Sequence, residues 1–187
     1  TDLANNSNTL LLPQFTIDTT SPTLTAVSQI ETPNNETQPV FVFQSNEDGV
    51  ITGTNISVGI KSVNGNTQDF SIVKNTNVTV IFNTMSEGIY TNRTISVKDL
   101  AQNESIITLQ NFDIDLTAPN VSFTSSSLTK EANPIISGTA ENNAIITLTI
   151  GTAKYVTSSN GNWSVDTSST PIEGTLAFNL NGVNVLT

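Results

Sequence analysis

The chain contains no cysteine and no histidine. Without Cys there is no disulfide, no thiolate zinc site and no Cys nucleophile. Without His the commonest general base, the commonest transition-metal ligand and the usual partner of a catalytic Ser are all missing. A Ser or Thr nucleophile would then need Lys as base, and Lys61, Lys74, Lys98, Lys130 and Lys154 lie in separate segments. Nor does any acid sit in the apolar setting that raises a carboxyl pKa for glycoside hydrolysis, so an enzyme is not expected. Basic residues are scarce: six Lys and Arg against sixteen Asp and Glu leave a formal charge of −10. Such a chain is expected to bind neither nucleic acid nor anionic membrane, and divalent cations are its natural partners. Only 12% of residues are charged, so solubility rests on Thr, Ser and Asn, which suits an exposed β-surface outside the cell. No apolar run approaches the roughly 20 residues of a membrane span, and none repeats with helical period.

What the chain does have is repetition. Phe112-Asp113-Ile114-Asp115-Leu116-Thr117-Ala118-Pro119 has a near copy, Phe15-Thr16-Ile17-Asp18-Thr19-Thr20-Ser21-Pro22, offset by 97 residues (Asp18 against Asp115, Pro22 against Pro119). The turn Lys98-Asp99-Leu100-Ala101-Gln102-Asn103 likewise repeats Thr1-Asp2-Leu3-Ala4-Asn5-Asn6, and Leu12, Phe15 and Ile17 match Leu109, Phe112 and Ile114 at the same offset. Each proline-ended copy reads as a linker between tandem β-domains. The expected organisation is the last strand of a preceding domain in residues 1–18, a full domain in 19–115, and a domain lacking its final strand in 116–187. The chain is then one period of a longer array; a truncated segment with an arbitrary end is the simpler alternative.

The first full domain is expected to hold strands at residues 23–27, 39–44, 50–58, 70–73, 78–82, 89–97 and 106–114, separated by clusters such as Pro33-Asn34-Asn35, Asn46-Glu47-Asp48-Gly49 and Asn64-Gly65-Asn66. The second is expected at 121–123, 134–137, 145–150, 155–157, 163–165, 175–180 and 183–186. Its tight turns are Asn142-Asn143, Asn160-Gly161 and Asn181-Gly182. Seven strands with turns every 8 to 12 residues predict an all-β chain of tandem immunoglobulin-like Greek-key β-sandwiches.

The stretch Asn133-Pro134-Ile135-Ile136-Ser137-Gly138-Thr139-Ala140-Glu141, followed by the strand at 145–150 and by Asn160-Gly161-Asn162-Trp163-Ser164-Val165, resembles the bacterial immunoglobulin-like repeat, whose pattern runs "isGtAe", strand, "dGnWsv". The linkers and the DLAxN turns are similar to its "DtTaP" and "DaaGN" signatures, with Asn in place of the usual Gly. Residues 19–115 resemble a sister type in the same superfamily. The resemblance implies a stalk module of a giant surface adhesin, of the biofilm-associated or repeats-in-toxin kind, whose junctions calcium often stiffens.

An immunoglobulin topology would bring the entering residue Asp18, the B to C turn acids Glu47 and Asp48, and the F to G turn acid Asp99 to one pole. Carboxylates and nearby carbonyls are hard oxygen donors that suit Ca2+. Asp115 and Glu141 would repeat the arrangement in the second domain, with Asp2 of a following copy as their third acid. The ordinary alternative is that these acids cap backbone amides without metal. Trp163 reads as a core plug, and Phe41, Phe43, Phe82, Tyr90 and Phe112 as core or edge residues. Sequons such as Asn35-Glu36-Thr37, Asn77-Val78-Thr79 and Asn162-Trp163-Ser164 are what chance yields in an Asn- and Thr-rich chain, and no isopeptide link is expected.

The function expected is therefore that of a structural extender in an extracellular bacterial adhesin or surface fibre. Its partners would be adjacent repeats of the same chain or identical neighbouring chains. The alternative is a self-assembling filament subunit in which residues 10–17 complete a neighbour's open sandwich.

Overall fold

The computed structural model describes residues 1–11, 13–178, 184 and 186. They divide into unit 1, Thr1–Leu116, and unit 2, Thr117–Thr187. Every regular element among them is a β-strand, so the described residues hold no helix that could cross a membrane.

Unit 1 is built from β1 (Leu24–Ser28), β2 (Val40–Ser45), β3 (Gly49–Thr54), β4 (Ile60–Val63), β5 (Ser71–Ile72), β6 (Val78–Phe82), β7 (Gly88–Tyr90), β8 (Thr94–Asp99), β9 (Glu104–Thr108) and β10 (Phe112–Ile114). Alternation decides which face each strand buries. Phe41 and Phe43 of β2 and Val78, Val80 and Phe82 of β6 point one way and are fully buried. Two antiparallel sheets, ordered β1-β2-β6-β4 and β5-β3-β8-β9, contribute to one core. Ile51, Ile72, Ile95, Val97 and Ile107 meet the β2 and β6 side chains from the second sheet. Each such side chain contributes about 1.5–3 kcal/mol by leaving water.

Two expected strands are each divided. Residues 89–97 form β7 and β8, and residues 106–114 form β9 and β10. The breaks face one another: Asn92, at φ 53°, donates its N–H to Asn111 Oδ1 at 3.2 Å. Below the break β8 pairs with β9 in the four-stranded sheet; above it β7 pairs with β10 alone, with Tyr90 stacked on Phe112 at 5.2 Å. The alternation changes phase across the break: Ile107 and Leu109 are buried before it and Phe112 and Ile114 after it, while Ile95 and Val97 are buried but Ile89 is exposed and Tyr90 packs on the core. β4 was also unexpected. Residues 10–17, expected as a strand, form none among those described, since a strand needs a neighbour to take its amides and carbonyls.

Unit 2 holds β11 (Val121–Phe123), β12 (Ile135–Ala140), β13 (Ile145–Ile150), β14 (Ala153–Ser158) and β15 (Asn162–Asp166). Sheets β11-β12-β15 and β13-β14 cover a smaller core of Ile136, Leu148, Ile150, Tyr155, Trp163 and Val165. The β13–β14 hairpin closes through Gly151-Thr152, with Gly151 at φ 59°. Trp163 is buried as a core plug: it stands opposite Gly138 in the β12–β15 register, meets Phe123 edge-on at 5.4 Å and donates its indole N–H to Thr139 O at 3.3 Å. A Cβ on Gly138 would lie 2.5 Å from the indole Cζ2, so the glycine of "ISGT" is the floor on which the tryptophan of "GNW" rests. Residues 175–178 of an expected strand are not in one. The rest of that strand, the Asn181-Gly182 turn, Val183 and Val185 fall outside the described residues, as does Leu12. Leu186 is described, and it bridges Ile150.

Candidate metal centre

The site begins with a turn. In Asp99-Leu100-Ala101-Gln102-Asn103, the Asn103 backbone N–H donates to Asp99 Oδ1 and its side-chain amide to Asp99 Oδ2, both at 2.9 Å. The Asp99 N–H donates to Asn103 O at 3.1 Å and the Gln102 N–H to Asp99 O at 3.2 Å. Gln102 sits at φ 73°. The copy at Asp2 to Asn6 repeats the set, with Asn5 at φ 64° and Asn6 donating to Asp2 through backbone and side chain at 2.9 Å each. The turn is therefore specified locally. The expectation of Asn at the left-handed position of both turns is corrected: Asn5 holds it in the first copy and Gln102 in the second.

Asp99 is 3% exposed. Burial works to raise its pKa, but the Asn103 side chain and the amides of the turn hold the carboxyl below the ordinary value of 3.8. It therefore stays ionised at neutral pH, held by hydrogen bonds from its own turn.

Two further segments are drawn to this turn. The Asn103 side-chain amide also reaches Asp18 O at 3.2 Å, and Ser105 Oγ donates to Pro22 O. From the other side Thr23 N–H donates to Asn46 Oδ1 at 2.6 Å, and Asn46 N–H to Thr23 O at 3.1 Å. The Asp18 to Thr23 linker is thus laced to both loops. Gly49 then lets β3 begin directly against β8: it pairs with Asp99, and a Cβ there would lie 2.3 Å from Lys98 O. Ser45 Oγ fixes Glu47 by donating to its carbonyl at 2.7 Å and accepting its N–H at 3.1 Å.

As a result Asp18, Glu47 and Asp99 each present a carboxylate oxygen within 4.8 Å of the other two. Oxygens that ligate one Ca2+ at about 2.3–2.6 Å lie no more than about 5 Å apart, so the three fit a single ion of this kind. Asp99 is exposed too little to turn away, whereas Asp18 is exposed and Glu47 half-buried.

The remaining expected ligands lie elsewhere. Asp48 Oδ1 is taken by the Lys74 N–H at 2.8 Å. Asp2 is bonded within its own turn. Asp115 belongs to unit 1, where its N–H donates to Asn34 O at 3.0 Å. Glu141 is exposed in the β12–β13 turn of unit 2, its carbonyl accepting the Ala144 N–H at 3.2 Å. None of these four is part of the three-acid group found among the described residues. Asn103, Asn46 and Gly49 were not anticipated as positioning residues. The recurrence of Asn103 as Asn6 was the one available signal.

Comparison with protein-family models, with curated proteins and with solved structures found no match.

Proposed function

We propose that this chain is a structural extender of an extracellular bacterial adhesin or surface fibre, made of two immunoglobulin-like Greek-key sandwiches in tandem, with Ca2+ bound where the chain enters unit 1. The observation that carries the reading is the meeting of Asp18, Glu47 and Asp99 within 4.8 Å at the start of the linker. A cation there would be ligated by the linker and by two loops of the sandwich at once, so the incoming segment would be held at a fixed angle. The immunoglobulin reading is supported by the two sheet orders of unit 1, β1-β2-β6-β4 and β5-β3-β8-β9, with their crossings between sheets. A structural role is supported by the apolar cores that both units build from their strands.

Stiffening can be measured directly. The chain has no native Cys, so spin labels placed through Thr9→Cys and Ser57→Cys, both exposed, report the distance from the entering segment to unit 1. Added Ca2+ should narrow that distribution and a chelator should broaden it again. Equal widths in both conditions would sink the proposal.

A further inference from the structure

In unit 1 asparagine side chains are spent on the backbone: those of Asn46, Asn55, Asn64, Asn66 and Asn103 each bond a main-chain group. Unit 2 holds a set of polar side chains that are not spent. There β14 pairs with β13 and β15 with β12, so the two strands leave their short connection, Ser159 to Gly161, without pairing. Between β14 and the sheet of β11, β12 and β15 lies a groove of about 550 Å3. Thr157 and Ser158 line it from β14, Asn160 from the connection, and Asn162 and Ser164 from β15. Among the described residues no hydrogen bond engages any of these five side chains. Their surroundings are fixed all the same. Ser159 turns inward, donating its hydroxyl to Ala140 O at 3.0 Å and accepting the Gly161 N–H at 3.1 Å, and across the groove the hydroxyls of Thr124 and Ser137 bond each other at 3.3 Å.

We propose that this groove binds a neutral saccharide. Its lining includes no acid and no base, although the chain carries sixteen acids, so it offers a cation no carboxylate and an anion no counter-charge. An apolar ligand would cover hydroxyls and amides and leave them unsatisfied. Ser and Thr hydroxyls both donate and accept, and an Asn amide does each through a different atom. The hydroxyl groups of a sugar require that mixture. The volume falls within the roughly 300–1,000 Å3 of small-molecule sites, room for a short oligosaccharide. Trp163 borders the groove but is only 3% exposed, so it gives an apolar edge and no stacking platform. Affinity then rests on hydrogen bonds exchanged against those of water, which places a single site at about millimolar.

The test uses the 187-residue chain in chelator, displayed in many copies on beads so that weak binding is seen. Screened on an array of neutral and of charged glycans, it should retain neutral ones in preference. The best neutral binder, titrated in solution, should then change the fluorescence of Trp163, the single Trp of the chain, and saturate. Asn162→Ala and Ser164→Ala alter exposed side chains; each should weaken binding by about fivefold while the melting of unit 2 stays unchanged. Thr147→Ala, exposed on β13 and outside the groove, should leave binding as it is. An array on which no glycan is retained overturns the proposal, and so does a preference for charged glycans. Binding at full strength in a chain carrying both groove substitutions overturns it as well. Calcium is chelated throughout, so failure here leaves the extender reading intact, and failure of that reading leaves the groove.

Discussion

Replacing Gly138 by Ala should destabilise unit 2 far more than its one added methyl suggests. The new Cβ would lie 1.8 Å from Ser122 O and 2.5 Å from Trp163 Cζ2. Ordinary contact begins at 3.4 Å, so β11 and the indole must both retreat, the former by about 1.6 Å. Neither can do so freely, since Ser122 pairs with Thr139 and the indole N–H is bonded to Thr139 O. Overpacking costs about 1–3 kcal/mol, and clashes on two sides place this substitution at about 3 kcal/mol. For a unit of this size that lowers the midpoint by more than about 10 °C. The chain has a single Trp, and its fluorescence in a urea or thermal titration reports on unit 2 alone. Gly53→Ala is the control: nothing lies within 4 Å of a Cβ at Gly53, so unit 1, followed by circular dichroism, should change by no more than about 0.5 kcal/mol. A Gly138→Ala chain whose Trp163 transition stays within about 0.5 kcal/mol of the parent would refute the account of why glycine and tryptophan face each other here.

Two other outcomes follow from the turns. Gln102 holds φ 73°, which costs an L-residue about 1 kcal/mol, so Gln102→Gly should raise the unit 1 midpoint despite the extra freedom of the unfolded chain; calorimetry would show it, and a lower midpoint would contradict it. In acid, Asp2, Asp69, Asp99 and Asp166 all have carboxyls held below the ordinary 3.8. Their folded pKa values lie below the unfolded ones, so the stability they contribute is complete above pH 3.8 and is lost as pH falls through the folded values. Melting temperatures should be steady from neutral pH down to about 5 and then fall; midpoints that rise on acidification below that point would show the sign to be wrong.

The legible part of the molecule was what repeats or alternates. Phe41 and Phe43, Val78 to Phe82, and the strand at 145–150 follow their period, and the core position of Trp163 follows from its place in an alternating strand. The joint break at Asn92 and Asn111 escaped the strand reading although the step of three from Leu109 to Phe112 puts the buried positions out of phase, because each run reads as one strand. At the site, the acids stood out by residue type, and three of them meet. Asp48 looked equivalent to Glu47 until the Lys74 amide claimed it, since adjacent residues in an extended turn face opposite ways. Asn103 and Gly49 stayed hidden for a related reason: their contribution is to hold segments that are 85 and about 50 residues away in the chain, respectively through a bond to Asp18 and a close approach to Lys98.

The most direct test is a calorimetric titration of the chelator-treated chain with Ca2+, alongside Asp18→Asn and Glu47→Gln variants that change a charge at positions exposed enough to leave the fold intact. One ion per chain should bind, the unit 1 transition should move to higher temperature with the Trp163 transition unmoved, and either variant should weaken binding by at least about tenfold. No heat and no shift in the parent, or binding that both variants retain at full strength, would contradict calcium at the entry to unit 1.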